Sequence, residues 1–301
     1  MIKPTRNSPI RMSASRRAFN AVNITLLGLM AALCIAPVIN IFSISLSSSV
    51  AATAGRVTFW PVDFSLVAYR MAFSNQYFFG ALWISIQRVV LGTAITLFLN
   101  IITAYPLSRD TCYFKARKYY IWFYFFPMLF GGGLIPTFLV VKFTGLYDTI
   151  WALIVPGAVG IYNCILMLNF FRQLPKEMEE AAIIDGAGHG TILWKIIVPV
   201  SKPSIATVAL VIIIAHWNEW FSAMIYMKGM SHYPLQTYLQ SMLNLDLTQI
   251  QDFKQRMKAS ALSPKTLRAA MVFLTALPIL AVYPFLQKYF TKGLVLGSVK
   301  G

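Results

Sequence analysis

The sequence predicts an all-α membrane protein that crosses the bilayer six times. Of its 301 residues, 57% are hydrophobic and only 12% are charged, and the mean hydropathy is +0.64. A soluble globular domain carries about a quarter charged residues. The apolar residues also form runs that reach the roughly 20 residues a helix needs to cross the hydrocarbon core. The composition therefore excludes a soluble domain and indicates a polytopic chain surrounded by lipid.

Six apolar stretches are long enough to span a membrane. The first has no Asp, Glu, Lys or Arg between Arg17 and Arg56. That run exceeds the roughly 7 to 15 residues of a signal-peptide core, so we interpret it as a retained span. Only Arg88 interrupts the second stretch. In the third, Pro127 and Pro136 flank three glycines, where we expect a kink or a locally unwound segment. The predicted spans are residues 19–46, 81–108, 119–141, 149–171, 203–227 and 269–287.

Basic residues are unevenly distributed between the connections. The 26 Lys and Arg outnumber the 10 Asp and Glu, which gives a net charge of +16. Of these cations, 16 fall on the side that carries both termini, nine fall on the other side, and Arg88 lies within a span. Because Lys and Arg are enriched in cytoplasmic loops, both termini are predicted to be cytoplasmic. The charge excess thus indicates the anionic inner face of the lipid bilayer, not nucleic acid, as the partner.

The spans divide the chain into segments with different expected roles. Three widely spaced cysteines lack metal-ligand spacing, so they predict neither a metal site nor a disulfide framework. The predicted segments are a cytoplasmic basic amino tail (1–18), a first span (19–46), an outer connection (47–80), a core of five spans (81–290) and a cytoplasmic carboxyl tail (291–301).

The predicted cytoplasmic connection at 172–202 has folding signals of its own. Pro175 and the glutamates that follow it favour the start of a helix, and Gly186 permits a turn. A second short helix is predicted to begin at Thr191 and to end before Pro199. On these residues alone, the alternative is an ordinary amphipathic helix at the membrane surface. The side chains expected to face an apolar neighbour are Ile192, Leu193, Ile196 and Ile197.

The same connection resembles the EAA loop of ABC importer permeases. The run 180–182 reads Glu-Ala-Ala and is followed, at the spacing of that motif, by a glycine, an isoleucine and a proline. Val198 stands where the motif often has Leu. In that family the loop is a coupling helix that docks in a groove of the ATPase subunit. The residues to which the resemblance assigns this coupling role are Glu180, Ala181, Ala182, Asp185, Gly186, Ile196 and Pro199.

The likeness extends over roughly residues 20–301. The segments that carry it resemble the carbohydrate importer permeases of the maltose-permease type, and within them the LplC-like oligosaccharide branch. This resemblance implies a type I permease fold in the bacterial cytoplasmic (inner) membrane. It also implies four kinds of partner: a second homologous permease, two ATPase subunits, a soluble solute-binding protein and an oligosaccharide. The segments are 130–137, 148–156, 216–218, 233–236 and 292–301.

Nucleotide binding is not expected in this chain. No phosphate-binding loop of the form GxxxxGK[ST] occurs in the sequence, so ATP and Mg²⁺ are expected on the partner ATPase. We therefore predict a transport subunit and not an enzyme, with no catalytic or metal-ligating residues. In the maltose system the corresponding permease ends in a tail that reaches between the two ATPases. The matching residues here are Gly297, Ser298, Val299, Lys300 and Gly301.

Polar side chains inside the predicted spans mark a candidate substrate path, because such groups tend to face protein or a wet cavity. Arg88 either snorkels to the headgroups or meets an anionic substrate. At the end of the fifth span, indole rings beside an amide and a carboxylate suit a sugar. Alternatively, the tryptophans anchor at the interface and Glu219 pairs with Arg88 or Lys228. The candidates are Arg88, Asn163, His216, Trp217, Asn218, Glu219 and Trp220.

These observations predict a permease subunit of an ATP-driven importer, with the outer segments 51–77 and 229–263 as docking candidates for the binding protein. The net charge of +16, together with Arg88 and the basic residues predicted on the outer side, motivates an acidic cargo such as a uronate oligosaccharide, and a neutral one fits the family equally well. The alternative is a secondary transporter or channel driven by an ion gradient. Such a protein would use intramembrane carboxylates, but Glu219 is the only acid in a predicted span. Nor does the sequence contain a metalloprotease or nucleophile-elbow motif of an intramembrane enzyme.

Overall fold

A computed structural model of the chain describes residues 14–110, 114–244 and 263–298. Within these ranges every regular element is helical. In chain order the helices are α1 (Ala14–Ser45), α2 (Ser49–Thr53), α3 (Val67–Ser74), α4 (Gln76–Ser108), α5 (Arg117–Leu129), α6 (Leu134–Phe143), α7 (Trp151–Ile154), α8 (Ile161–Arg172), α9 (Glu177–Ile184), α10 (His189–Ile192), α11 (Val198–Val200), α12 (Lys202–Asn218), α13 (Phe221–Tyr226), α14 (Leu235–Asn244) and α15 (Pro264–Ser298).

The described residues fall into two compact units, one formed by 14–70 with 263–273 and the other by 71–244 with 274–298. In the first unit, the carboxyl-terminal end of α1 is tied to the connection that follows it. The Ser43 hydroxyl donates to the carbonyl oxygen of Phe59 at 2.7 Å, and the rings of Phe42 and Phe273 lie 4.6 Å apart. The most apolar window of α1 has no buried residue, as expected of a helix whose neighbours are lipid or another chain.

The described residues contain three helices long and apolar enough to cross a membrane, which are α1, α4 and the first part of α15. Three further pairs of helices pass the same test together, each bent at a short break. The number of spans therefore reaches the predicted six when each bent pair counts as one span. The two pairs in the middle of the chain, α5 with α6 and α7 with α8, correspond to the third and fourth predicted spans.

Three of the predicted spans are not continuous helices. At the glycines of the third, α5 and α6 meet at 116°, and Gly133 has a φ of +84° that a residue with a side chain rarely adopts. This break was predicted, whereas the 52° bend in the fourth span was not. The fifth predicted span is also discontinuous, since α12 ends at Asn218 and α13 begins at Phe221. The helix that contains the sixth predicted span is longer than that span, since α15 runs from Pro264 to Ser298.

The second helix of the 172–202 connection differs from its predicted bounds. It begins at His189, two residues before Thr191, because Gly188 provides the extended residue that precedes the first turn. It also continues through Pro199 instead of ending before it. A π-helical turn at Leu193–Ile197 leads into α11, which holds the proline near its start.

The main core of the second unit joins the 172–202 connection to three spanning helices. α4 packs against both α8 and α12, and side chains from all three helices meet those of the connection in one apolar cluster. Phe171, Ile192 and Ile197 are at most 2% exposed within it. The predicted apolar contact of the second short helix is therefore confirmed. Because burial of such side chains is worth about 1.5–3 kcal/mol each, the connection is a folded part of the unit.

Candidate functional site

A buried ion pair holds helix α9 to the end of α4. Glu179 is 8% exposed, pairs with Arg109 immediately after α4, and accepts a 3.0 Å hydrogen bond from the Tyr105 hydroxyl. The Arg109 guanidinium also lies over the Tyr105 ring, 4.8 Å from its centroid. The Nε and Nη2 atoms of Arg109 are buried and have no other hydrogen-bond partner among the described residues. Displacement of α9 would therefore leave a buried charge unpaired, so α9 and α4 are expected to move together.

An exposed ion pair adds a second link between the same two segments. The Lys176 ammonium lies 2.6 Å from a carboxylate oxygen of Asp110. Hydrogen bonding to this ammonium, with its charge, lowers the pKa of Asp110 below the usual value. Because both side chains are more than half exposed, the pair contributes little to stability compared with the buried one.

The side of α9 opposite Glu179 is exposed. Glu180, Ala181, Asp185 and Gly186 are exposed, and Ile184 between them is 85% exposed. Gly186 ends the helix with a φ of +79°, so a side chain at this position would strain the turn. Of the other coupling candidates, Pro199 is exposed, Ile196 is half-buried beside the core cluster and Ala182 is buried.

A cavity of about 340 Å³ lies among α4, α8, α12 and the segments beside them. Four of the predicted path residues line it, and they come from three different helical segments. The remaining wall combines uncharged polar groups with small apolar side chains. The polar residues of the lining include Arg88, Thr96, Asn163, His216, Glu219 and Ser222.

Arg88 in the wall of this cavity bonds to the break in the fifth span. Its side chain is 3% exposed and forms an ion pair with Glu219. Nη1 donates to the Glu219 carbonyl oxygen at 2.9 Å, and Nη2 donates to the Ser222 hydroxyl at 3.1 Å. Glu219 in turn accepts from the Ser222 backbone N–H at 2.8 Å. The charge of Arg88 is thus compensated within the protein, and the pair also satisfies backbone groups that the helix break leaves free.

His216 fills the space beside a glycine of α4. A Cβ atom placed on Gly92 would lie 2.7 Å from both Cε1 and Nε2 of the imidazole, which is closer than any real contact. The absence of a side chain at position 92 therefore allows α4 and α12 to approach. The cavity wall that results is close to neutral and offers amide, hydroxyl and imidazole groups next to apolar surface. Such a wall suits a ligand with many hydroxyls and exposed C–H faces.

Comparison with known proteins identifies the family. The model of the binding-protein-dependent transport system inner membrane component matches residues 116–295. The chain belongs to this family. LplC of Bacillus subtilis (strain 168) is 41% identical over 286 residues, which cover 95% of this permease and 96% of LplC. The polygalacturonan/rhamnogalacturonan transport system permease protein YtcP of the same strain is 36% identical over 285 residues, with coverages of 95% and 99%.

A solved structure shows the same fold. A chain of a bacterial ABC transporter involved in the import of the acidic polysaccharide alginate superimposes with a TM-score of 0.85 and 35% identity, over 94% of this permease and 100% of that chain. The predicted ABC permease fold, inner-membrane location and transport role are therefore confirmed. The family consists of transport components, in keeping with the prediction that this permease is not an enzyme. The orientation of the termini stays a prediction.

The remaining path candidates lie away from the cavity of the permease. Trp217 is buried, and its indole N–H donates to the carbonyl oxygen of Thr275 at 3.3 Å. Asn218 and Trp220 are exposed and do not line the cavity. The cause is the break after Asn218, which turns the chain so that Glu219 alone of the three residues 218–220 points into the cavity. Glu219 both lines the cavity and pairs with Arg88, so its role in the substrate path stays a prediction.

Sequence reasoning missed Thr96 and Ser222 as cavity residues and Glu179 as the anchor of α9. The spacing of Thr96 from Arg88, eight residues along one helix, was a usable signal, because positions four residues apart share a helix face. The bond between Ser222 and Arg88 and the contacts of Glu179 join residues distant in the chain. They had no comparable signal in the sequence.

Proposed function

We propose that this ABC importer permease translocates an acidic oligosaccharide of the uronate class. The observation that carries the proposal is the similarity along 94% of the chain to a permease of an importer whose cargo is the acidic polysaccharide alginate. The name of YtcP, which specifies polygalacturonan and rhamnogalacturonan, supports the same class. The uncharged hydroxyl and amide groups of the cavity can donate hydrogen bonds to carboxylate and hydroxyl oxygens alike, so the cavity accommodates this class without selecting it.

We also propose the partners that such a subunit requires. A second homologous permease completes the pathway, a soluble binding protein delivers the cargo, and two ATPase subunits bind ATP and Mg²⁺. The exposed residues of α9, ending at Gly186, are the surface for the ATPase. The carboxyl-terminal tail at 297–301 is a second ATPase contact, and its last three residues lie outside the described part of the chain. The distribution of basic residues supports cytoplasmic termini.

The cargo class is tested by uptake into proteoliposomes that contain the complete importer and its binding protein. Radiolabelled trigalacturonate is the probe, and unlabelled trigalacturonate or maltotriose is the competitor. We expect the acidic trisaccharide to inhibit uptake at concentrations where the neutral one has no effect. Equal inhibition by maltotriose would contradict an acidic cargo while leaving the importer function intact.

A further inference from the structure

Polar side chains follow one buried face of α4 from the cavity toward the cytoplasmic connection. Ser85, Arg88, Thr96 and Asn100 are spaced by multiples of three to four residues, and each is at most 3% exposed. Gly92 lies on the same face. Since α4 packs against α8 and α12, this face points into the helical unit and not toward lipid. Polar groups buried within a membrane are unfavourable unless they are satisfied or have a functional role.

The four polar residues differ in their hydrogen bonding. The Ser85 hydroxyl accepts from the Leu235 backbone N–H at 2.7 Å, and Arg88 is paired with Glu219. In contrast, the Thr96 hydroxyl and both polar atoms of the Asn100 amide have no hydrogen-bond partner among the residues that the structure describes. The polar stripe formed by these four residues is therefore satisfied at Ser85 and at both Nη atoms of Arg88, whereas Arg88 Nε and the polar side-chain atoms of Thr96 and Asn100 have no partner among the described residues.

Asn100 lies one helical turn beyond the lining of the cavity. Thr96 belongs to that lining, and Asn100 follows four residues later, about 6 Å along the axis of α4. Asn100 is 0% exposed, so neither a lipid headgroup nor a side chain of another subunit reaches its amide without movement of the helices around it. Its neighbour Ile101 belongs to the apolar cluster that also contains Met167 of α8 and Ile212 of α12. Apolar side chains thus close the structure at the level where the polar stripe continues.

We propose that Thr96 and Asn100 line the continuation of the translocation path, which α8 and α12 close in this conformation and open in the other state of the transport cycle. The proposal rests on the importer function proposed above. In the open state the amide and the hydroxyl contact water and the hydroxyl groups of the passing sugar, to which each can donate or accept a hydrogen bond. Uncharged groups suit this position, because a contact on a path must also release its cargo.

Cysteine accessibility tests the proposal directly. In a complete importer whose permease carries Cys34→Ser, Cys112→Ser and Cys164→Ala, Asn100→Cys is treated with a charged, water-soluble thiosulfonate. The reaction is measured without nucleotide and after trapping with ATP and vanadate. We expect reaction in one state and protection in the other. The matched control is Ile101→Cys, an apolar neighbour expected to be protected in both states, and Asn163→Cys in the cavity is the positive control.

Protection of Asn100→Cys in both states, while Asn163→Cys reacts, would overturn the proposal. Reaction in both states would overturn it too, because position 100 would then not be closed by packing. The two failures are distinct from a failure of the proposed function, which would appear as no ATP-dependent uptake of trigalacturonate by the parent importer.

A second measurement separates a path residue from a structural one. Asn100→Leu replaces an unsatisfied amide by an apolar group of similar size, so thermal stability of the complex in detergent should not fall. Uptake of trigalacturonate should fall by about tenfold or more, the effect of one lost hydrogen-bonding contact of about 1.4 kcal/mol. Asn100→Ser, which keeps a hydroxyl, should retain more uptake than Asn100→Leu. Lower stability of Asn100→Leu together with unchanged uptake would contradict a place on the path.

Discussion

Replacement of Glu179 tests whether the buried ion pair transmits movement from α9 to α4. In Glu179→Gln the Tyr105 hydroxyl keeps an acceptor, but Arg109 loses its only anionic partner among the described residues while remaining 87% buried by side-chain area. Removal of one member of a buried pair costs about 3–5 kcal/mol. Because both side chains keep slight access to solvent, we expect the lower end of this range, about 3 kcal/mol. That energy corresponds to a roughly 140-fold increase in the equilibrium constant for local opening of α9.

Hydrogen exchange at the amides of α9, measured by mass spectrometry on the assembled importer, reports this opening. Glu177→Gln is the matched control, since it removes an exposed carboxylate from the same helix. It should change the free energy of local opening by less than about 0.5 kcal/mol. In the double variant Glu179→Gln/Arg109→Met no buried charge is left unpaired, so much of the protection should return. Equal exchange in Glu179→Gln and Glu177→Gln would refute the reasoning.

Three further outcomes are expected. Gly92→Ala should destabilise the permease by about 1–3 kcal/mol in thermal unfolding, because the new Cβ would overlap the His216 ring. Gly80→Ala on the same helix is the control, since its Cβ would enter open space and should leave the stability unchanged. The backbone N–H of Lys228 and the side chain of His232 lower the pKa of Asp148 in the folded protein. The contribution of the Asp148 carboxylate to folding stability is therefore complete above its unfolded pKa of about 3.9 and is lost as the pH falls through the lower folded pKa. In Asp148→Asn, this loss of stability at acid pH should be absent. Glu180→Lys and Gly186→Asp should abolish uptake with normal membrane insertion, because each alters the exposed end of α9; normal uptake by both would contradict a coupling role.

The spans were predictable because lipid imposes a simple requirement on the sequence. A helix that crosses the bilayer needs a long apolar run, and such runs are visible in the composition of the chain. The break in the third span was also predictable, since Gly131–Gly133 and the flanking prolines weaken the helix locally. The first helix of the coupling loop and the turn after it were also predictable, because Pro175 and the adjacent acids favour the start of a helix and Gly186 permits a turn.

The break in the fifth span was not predictable, because its cause is not local. Residues 219 and 220 contain no Gly or Pro, and the apolar run continues beyond them. The free carbonyl oxygen of Glu219 is instead satisfied by Arg88, 131 residues earlier in the chain. The anchor between Glu179 and Arg109 likewise joins residues 70 positions apart. Contacts of this kind decide which polar side chains reach the cavity, so the path candidates could be assigned only in part.

The most direct test of the central claim is uptake by the reconstituted importer under two energy sources. Proteoliposomes that contain this permease, its partner permease, the ATPase subunits and the binding protein are supplied with ATP, with ATP and vanadate, or with an ion gradient alone. We predict uptake of trigalacturonate that requires ATP, stops with vanadate and is unaffected when an ionophore dissipates ion gradients. Uptake that persists without the ATPase subunits and ends with the ionophore would contradict the account and identify a secondary transporter.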